Sequence, residues 1–597
     1  MTPDLSSVDK TAIQKVIEDN KITLWLNTTG ELASKLPLYL LEGGWADSGK
    51  MISCVHASDE DAKVAAQENG DSSFLSYSVS FEDTTTPRTK VVHISSSLLL
   101  QGALVDPLVS RYSIIYIHQY HVRTIQMDIV IGLLKKVLKK RENLRVLISG
   151  ASPESLDFLS VYLIAPPKIS LEANTYPVDL HYVNISPGNY VDTALDVVLS
   201  STKPLATGGI IVFMPSRDIG RFQDQLRESL RLAEVSMNVD ALFSVSELLR
   251  LESSVLDFEH PAHVIVTSLP AELVARRLAV TVVIDTGFEE VKYSRYGFAT
   301  VTKVEPVSQE VANIRTRIAG LSKAGRCYRL YPQNSFENLE KTRLPEIGRL
   351  ALDHCILQLK SLGVDNILHF DYPHPPPSHM LAEAIDRLAS LGVIDNEAHL
   401  TRPFGENVAQ LPLEPSHAIL LVSSLQYGCF EQIASLVALS LTKGDYFDHE
   451  KWLPFIAQEG DALTWLNIYE SFLRMGRDKS WCRKYGFNET QLSRSVNIRD
   501  QLLRILQHRR IKIAKTELAT STAIRKCIAS TYRRNLAFRL PDGSYQTMSG
   551  SLIMKIHPSS VLHVQKSIDW VVFQETTERN GQFFIKNITV VEKEWVD

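Results

Sequence analysis

The sequence predicts an α/β protein in which two α/β domains of similar size precede a helical region and a small β-barrel. Three observations predict this order. Short apolar runs alternate with longer helical patterns in the first half, amphipathic helices follow from about residue 333, and polar and apolar residues alternate from about residue 530. The chain has 597 residues, too many for one hydrophobic core, which suggests roughly three to five domains.

The first α/β domain is predicted from three apolar runs with the length of buried strands. They are residues 22–26 (ITLWL), 113–117 (SIIYI) and 144–148 (LRVLI). Between the last two, residues 128–140 place apolar side chains along one face of a helix and lysines on the other. This alternation favours a parallel sheet covered by helices.

The second α/β domain follows a proline-containing joint at residues 165–167. Its predicted strands are residues 178–183, 210–214, 263–267 and 280–285. Sheets of this kind bind nucleotides at the carboxyl ends of their strands, so the loops after these strands are the places to look for a nucleotide site.

The last part of the chain changes character. Three consecutive prolines at residues 375–377 interrupt amphipathic helices that extend to about residue 507. A basic stretch containing Arg509, Arg510 and Lys512 comes next. Turn signals such as residues 541–543 (PDG) then separate short alternating runs, which predicts a small β-domain.

Composition restricts the class of protein. The net charge is −5, so any contact with nucleic acid must be local. The six cysteines never fall at C-x-x-C spacing, which disfavours a zinc site and favours reduced thiols inside a cell. The first ten residues lack the pattern of a secretory signal, and no uncharged apolar run is long enough to span a bilayer, so no membrane contact is expected.

Residues 44–50 (GWADSGK) match the GxxxxGK pattern of a phosphate-binding loop, but their context opposes that function. The next residue is Met51, which has no hydroxyl for Mg²⁺, and residues 33–41 have a helical pattern where a strand is required. The loop after the predicted strand 22–26 has one glycine, no lysine and the acidic Glu31, which would repel phosphate.

Several other segments carry a family resemblance. They are residues 128–140, 325–331 (GRCYRLY), 356–370, 459–461 with 466–469, and 557–560 with Trp570. From about residue 20 onwards the chain resembles the DEAH/RHA RNA helicases, nearest the branch associated with spliceosomes and G-patch cofactors. The resemblance implies two RecA-like domains at 1–165 and 166–332, a winged helix at 333–400, a helical ratchet domain at 401–510 and an OB-type barrel at 511–597.

Aligned on the family's motifs, the chain departs from it at the positions that hydrolyse ATP. In the phosphate loop, Leu32 replaces the lysine and Ala33 replaces the Mg²⁺-binding hydroxyl. In the DEAH box, His118 replaces the Asp and Gln119 replaces the Glu. The two arginine-finger positions are Ile318 and Leu321. Phosphoryl transfer depends on charge stabilisation and on positioning of water, and an arginine finger alone is worth about 10³–10⁵ in rate. The expectation is therefore a protein that is not an enzyme, with no catalytic or nucleotide-binding residues and no cofactor.

Contacts with RNA are expected to be weak. The family's RNA-gripping positions fall on residues 55–59, residues 95–97 and Leu273, and they have lost their arginines and a threonine hydroxyl. Candidate RNA-binding residues lie near the barrel instead. They are Arg509, Arg510, Lys512, Tyr532, Arg533 and Arg534.

A metal site is not expected. His118 and His121, with His93 nearby in sequence, lack a carboxylate or cysteine at ligand spacing. These histidines are expected instead to fill the region that Mg²⁺ occupies in the family or to form hydrogen bonds there.

The resemblance implies an inactive helicase homologue that serves as a protein-interaction scaffold in nuclear RNA processing, most specifically in the spliceosome, with a G-patch protein as candidate partner. Two alternatives stay open: an RNA-dependent ATPase or helicase with a rearranged site, and an ATP-independent RNA-binding module. The sequence does not identify the complex, the partner or an active paralogue.

Overall fold

The structure is a computed structural model. It describes residues 10–26, 31–68, 73–170, 176–202, 209–235, 237–244, 247–248, 263–275, 280–295, 299–321, 323–442, 449–508, 519–548, 552–563, 568–579 and 581–595. The chain forms two compact units. The first comprises residues 1–291, 303–348 and 370–375, and the second comprises residues 292–302, 349–369 and 376–597.

The first unit contains two parallel sheets, and the first of these has eight strands in the order β4-β3-β5-β2-β6-β7-β1-β8. Only the β3–β4 pair is antiparallel among its described pairings. The strands are β1 (Ile22–Leu26), β2 (Met51–His56), β3 (Leu75–Val79), β4 (Glu82–Asp83), β5 (Val91–Ser95), β6 (Tyr112–Ile117), β7 (Arg145–Gly150) and β8 (Lys168–Ser170). The helices are α1 (Lys10–Asp19), α2 (Glu31–Glu42), α3 (Asp59–Glu68), α4 (Ser96–Val105), α5 (Ile125–Val137) and α6 (Pro153–Tyr162).

The second sheet has six parallel strands in the order β11-β12-β10-β13-β16-β9. Its strands are β9 (Val178–Tyr182), β10 (Gly209–Phe213), β11 (Asn238–Leu242), β12 (His263–Thr267), β13 (Val280–Asp285) and β16 (Gly325–Arg329). A separate two-stranded sheet is formed by β14 (Phe288–Arg295) and β15 (Ala299–Pro306). The helices of this part are α7 (Tyr190–Thr202), α8 (Ser216–Leu232), α9 (Ala271–Ala275), α10 (Gln309–Ile318) and α11 (Gln333–Glu337).

The predicted strands are confirmed, three of them at their predicted bounds and the others within one or two residues at each end. The predicted helix 128–140 begins three residues earlier, at Ile125, because the Thr124 side chain accepts a hydrogen bond from the backbone N–H of Met127 at 3.2 Å. That contact is an N-terminal cap. The α/β class and its two parallel-sheet domains are as expected.

The second unit joins helices to a closed five-stranded barrel, as the sequence predicts. The helices are α12 (Asp353–Ser361), α13 (Ser378–Ser390), α14 (Phe404–Ala409), α15 (Pro415–Ser423), α16 (Phe430–Ser440), α17 (His449–Trp452), α18 (Asp461–Arg474), α19 (Lys479–Tyr485), α20 (Glu489–His508) and α21 (Ser521–Thr531). The barrel strands are β17 (Leu536–Arg539), β18 (Tyr545–Thr547), β19 (Ile553–Ile556), β20 (Trp570–Arg579) and β21 (Gln582–Val590). Their order around the barrel is β17-β18-β19-β21-β20. Among the described helices, none combines the length and apolarity that a bilayer crossing requires.

Candidate functional site

Three histidines meet at the carboxyl edge of the first sheet, where nucleotide sites of parallel sheets lie. His56 ends β2, His93 lies in β5, and His118 directly follows β6. The Nε2 atom of His56 is 2.9 Å from the Nδ1 atom of His93, and these two rings stack with centroids 5.2 Å apart. The ring of His118 lies 5.1 Å from that of His56. A hydrogen bond between two ring nitrogens requires one of them to be deprotonated, so the first pair carries at most one positive charge.

This histidine cluster is part of the interior, because the three residues are only 1–3% exposed. Mg²⁺ prefers oxygen ligands in octahedral geometry, and imidazoles do not provide them. Within the described residues, no group of three or more His, Cys, Asp or Glu side chains is arranged to hold a metal ion. The side chains seen at this edge therefore do not fit the magnesium site that the helicase family uses.

The turn after β6 is held by hydroxyl groups. Gln119 adopts a left-handed backbone conformation with φ of 55°, and its N–H lies 3.3 Å from the Oγ atom of Ser149 in β7. The same hydroxyl accepts a hydrogen bond from the Tyr116 hydroxyl at 3.0 Å. His121 accepts a hydrogen bond from the backbone N–H of Ala151 at 3.3 Å. The positions of the family's DEAH box thus contribute hydrogen-bonding groups, and no carboxylate, to the described structure.

Arg123, which matches the family, has a structural role in this conformation. Its guanidinium lies 3.3 Å from the carboxylate of Asp128, which is fully buried, and 4.7 Å above the ring of Phe158. Burial raises the pKa of Asp128, and the charge of Arg123 opposes that rise. The hydroxyl of Tyr120 donates to the same carboxylate at 3.2 Å. These contacts fix the turn to α5.

In the second parallel-sheet domain, the two arginine-finger positions carry apolar side chains. Ile318 is 3% exposed and belongs to the core, and Leu321 is half-buried after the end of α10. The matching Arg315 is engaged in an ion pair, because its Nη1 atom lies 2.6 Å from Oδ1 of Asp285. The Tyr331 hydroxyl donates to the other oxygen of that carboxylate at 2.8 Å. Burial alone would lower the pKa of Arg315, but the nearby Asp285 raises it above its usual range.

Two contacts connect α10 to the loop after β7, and sequence reasoning missed both. Arg317 donates to the backbone carbonyl of Ala151 at 2.9 Å. The carboxylate of Glu310, only 4% exposed, accepts a hydrogen bond from the hydroxyl of Ser152. The two parallel-sheet domains therefore touch directly at the edge where the family places its nucleotide.

The GxxxxGK segment lies at the opposite edge of the first sheet. Residues 44–50 follow α2 and lead into the amino end of β2, and Asp47 forms an ion pair with Lys90 at 3.4 Å. A phosphate loop must follow a strand and precede a helix, so the expectation that this segment is unrelated to the nucleotide edge agrees with its position.

Some predicted site residues lie outside the described part. Residues 27–30 and 509–518, which include Arg509, Arg510 and Lys512, are not described, nor are the side chains of Leu32 and Ala33.

Near the barrel, Tyr532 is 8% exposed, and burial raises its pKa to about 12. This burial leaves little of the side chain accessible to a base, and its stacking role stays a prediction. Arg533 is exposed, and Arg534 donates to the carboxylate of Asp386 at 2.7 Å.

The histidine cluster was foreseen only in part. His93 and His118 stood out in the sequence, whereas His56 was not connected with them. A usable signal existed, because each histidine lies at or near the carboxyl end of a predicted parallel strand, and such ends meet at one edge.

Comparison with known proteins identifies relatives of the whole chain. Residues 524–596 match the model of the oligonucleotide/oligosaccharide-binding (OB)-fold family. The chain is 29% identical to the probable ATP-dependent RNA helicase DHX35 of Homo sapiens, over 97% of this chain and 87% of that protein. It is 31% identical to the Caenorhabditis elegans homologue, over 94% and 81%. A putative pre-mRNA-splicing factor ATP-dependent RNA helicase of Schizosaccharomyces pombe is 30% identical, over 97% and 93%.

These relatives overturn one expectation. The sequence predicted a protein that is not an enzyme, but each of these three relatives is named as an ATP-dependent RNA helicase, which is an enzyme. The prediction was wrong because it took the loss of the family's catalytic groups at six aligned positions as sufficient. Side chains at two of those positions, Leu32 and Ala33, lie outside the described part, where the phosphate loop of the family would be.

Proposed function

Because the chain belongs to the DEAH/RHA family of RNA helicases, we propose that it acts in nuclear pre-mRNA splicing and holds protein partners there as a scaffold. One observation carries the scaffold role. At the carboxyl edge of the first sheet, the side chains of His56, His93 and His118 pack against one another. The second unit, which contains α12 to α21 and the barrel, is compact. A scaffold protein binds its partners through the surface of such a unit and does not depend on catalytic groups at the sheet edge.

Buried polar contacts support the integrity of the second unit. The Arg387 guanidinium forms two hydrogen bonds with the Asp353 carboxylate, at 3.0 Å and 2.7 Å, which joins α12 to α13. The Asp461 carboxylate, at the start of α18, accepts hydrogen bonds from the backbone N–H groups of Val561 and Ile588 at 2.8 Å and 2.7 Å. Such contacts hold the helical region and the barrel in one arrangement.

A G-patch protein is the candidate partner within this proposal. In the family such partners dock an amphipathic helix on the winged helix, which corresponds here to residues 333–400. Leu368 lies in this segment with 66% of its surface exposed, so it can contact the apolar face of such a helix. In this proposal the chain has five domains, which end at residues 165, 332, 400, 510 and 597.

The relatives' names favour a second candidate function, an RNA-dependent ATPase with a rearranged site. His118, Gln119, Ile318 and Leu321 do not supply the charges that the family's reaction uses, so any turnover needs other groups. Glu310 is a buried carboxylate in the interdomain cleft, which we define as the place where α10 meets the loop after β7. It is the first group to replace in a test.

Purification of the tagged chain from nuclear extract, followed by identification of bound proteins, tests the scaffold role. We expect splicing proteins to copurify with the wild type and with His118→Ala. Leu368→Asp should lose the partner that docks on residues 333–400. Leu453→Asp is the matched control, since Leu453 is 67% exposed and lies outside that segment. Absence of splicing proteins from the wild-type sample would overturn the proposal.

Measurement of phosphate release with Mg·ATP, with and without RNA, tests the second candidate. Release that RNA stimulates and that Glu310→Gln removes supports a rearranged site. Equal phosphate release from the wild type and from Glu310→Gln would argue against Glu310 as part of a rearranged site.

RNA contact by Arg533 and Arg534, and by the undescribed Arg509, Arg510 and Lys512, stays part of the proposal. Binding led by phosphate contacts weakens steeply with salt, so a salt-titrated binding measurement on Arg533→Ala tests it.

A further inference from the structure

Two buried thiols lie together where three helices of the second unit meet. Cys429 directly precedes α16, and Cys527 lies within α21. Both residues are 0% exposed. All six cysteines of the chain are free in the structure, and these two form no disulfide there.

Backbone contacts place both sulfur atoms in one seam, which is the space between α15 and α21. The Sγ atom of Cys429 lies 3.9 Å from the carbonyl oxygens of Ser424 and Ala523. The Sγ atom of Cys527 lies 3.8 Å from the carbonyl oxygen of Leu420. Leu420 and Ser424 are one helical turn apart, as are Ala523 and Cys527. The two sulfurs therefore lie between the same pair of chain segments, on adjacent turns.

The two thiols differ in acidity. The Cys527 thiol can donate a hydrogen bond to the Cys429 sulfur, which lowers the pKa of Cys429, while the same interaction raises the pKa of Cys527. A thiolate is the nucleophile in sulfur oxidation and exchange. This difference favours Cys429 as the sulfur that attacks an oxidant, with Cys527 as the resolving sulfur.

We propose that Cys429 and Cys527 form a modification site in which a two-electron oxidant, a hydroperoxide or a small-molecule disulfide, converts the pair into an internal disulfide. With hydrogen peroxide, the Cys429 thiolate attacks the peroxide oxygen and becomes a sulfenic acid, and hydroxide leaves and takes up a proton to form water. The Cys527 sulfur then attacks the Cys429 sulfur, the S–S bond forms, and a second water leaves. With oxidised glutathione, two exchange steps give the same bond and two reduced glutathiones.

The product links two cysteines that are 98 residues apart in the sequence. The bond ties the beginning of α16 to α21, the helix that leads into the barrel. A crosslink over so long a loop restricts the unfolded chain strongly, so the oxidised protein should resist denaturation of the second unit. Because both sulfurs are buried, the reaction should proceed only as the seam opens and should be slower than oxidation of an exposed thiol.

Thiol counting on the full-length protein tests the proposal. The chain is incubated with hydrogen peroxide or oxidised glutathione, alkylated after denaturation, and digested without reductant. We expect the number of free thiols to fall from six to four, with a peptide that joins Cys429 to Cys527 and with a higher urea midpoint that reductant reverses. Reaction with peroxide alone, or with oxidised glutathione alone, identifies which class of oxidant acts.

The variants separate pairing from general oxidation. Cys429→Ser should retain five free thiols and form no linked peptide. Cys482→Ser, which removes a buried cysteine elsewhere in the helical region, should still lose two thiols. Six free thiols after prolonged oxidation of the wild type, or a linked peptide with other partners, would overturn the proposal even if a variant fails to fold.

Discussion

Replacing Asp461 with alanine removes the carboxylate that joins α18 to the barrel. The residue is 6% exposed, and its two oxygens accept hydrogen bonds from the N–H groups of Val561 and Ile588. The Ser560 hydroxyl lies 3.0 Å and 2.9 Å from the same two oxygens. Val561 is 4% exposed and Ile588 is fully buried, so water cannot easily replace the lost acceptor.

The expected cost follows from the groups left without a partner. A buried donor deprived of its acceptor costs about 1–3 kcal/mol, so two backbone N–H groups together cost about 4 kcal/mol. Asp461→Asn preserves the shape but turns an NH₂ group towards one of these N–H donors. We therefore expect the asparagine variant to lose stability as well, by about half as much.

Local hydrogen exchange is the appropriate assay, because a chain with several domains does not unfold in one step. Peptides that contain Val561 and Ile588 should exchange about 10²–10³-fold faster in Asp461→Ala, which is the factor that about 4 kcal/mol allows when opening is local. Asp386→Ala is the control, since its exposed ion pair with Arg534 is worth about 0–1 kcal/mol. Unchanged exchange at Ile588 in Asp461→Ala would refute the reasoning.

Three further outcomes are expected. Gly132→Ala should destabilise the first unit by about 1–3 kcal/mol, because the new Cβ would lie 2.5 Å from the Asp371 carbonyl oxygen. Gly102→Ala, also inside a helix but with open space around it, should stabilise it by about 0.5–1 kcal/mol, and urea unfolding compares the two. Burial, and then the charge of Arg123, lowers the pKa of His374. The unfolded chain therefore binds more protons than the folded chain near this pKa. The contribution of His374 to the free energy of unfolding should be fully present above the ordinary His pKa of about 6.5 and decline as the pH falls below it. Unfolding at pH 7.5 and about 5.5 should show a smaller decline in His374→Gln. Arg387→Lys should lower the melting temperature of the second unit, since a lysine cannot form the paired contact with its carboxylate, and calorimetry measures the shift.

Much of the fold could be predicted because its signals are local. Residues 22–26, 263–267 and 280–285 are apolar runs of strand length, and they form strands at those bounds. The start of α5 was placed three residues late because apolar periodicity does not show a cap. The Thr124 hydroxyl determines that boundary through its contact with Met127.

The candidate site was less predictable because its contacts join distant parts of the chain. His56 and His93 are 37 residues apart, and Ser152 and Glu310 are 158 residues apart. Neither pair follows from spacing in the sequence. Alignment on family motifs identified the replaced positions His118 and Ile318, but it could not show that Glu310 and Arg317 cross the cleft. The expectation about enzyme class was wrong for the same reason, since it considered aligned positions alone.

The contacts across that cleft bear on both candidate functions. A ligand that lies between the two sheets must replace the Arg317–Ala151 hydrogen bond and the contact of the buried Glu310 carboxylate with Ser152. Hydrogen bonds to charged groups contribute about 1.5–3 kcal/mol each, so these two contacts stabilise this arrangement of the two domains. For a scaffold, these contacts hold the two domains in one arrangement for a partner that spans both. An ATPase must break these contacts in every cycle, so Glu310→Gln should ease opening of the cleft while removing a carboxylate from it. Unaltered partner binding combined with lost phosphate release in that variant would therefore assign the two roles to separate parts of the chain.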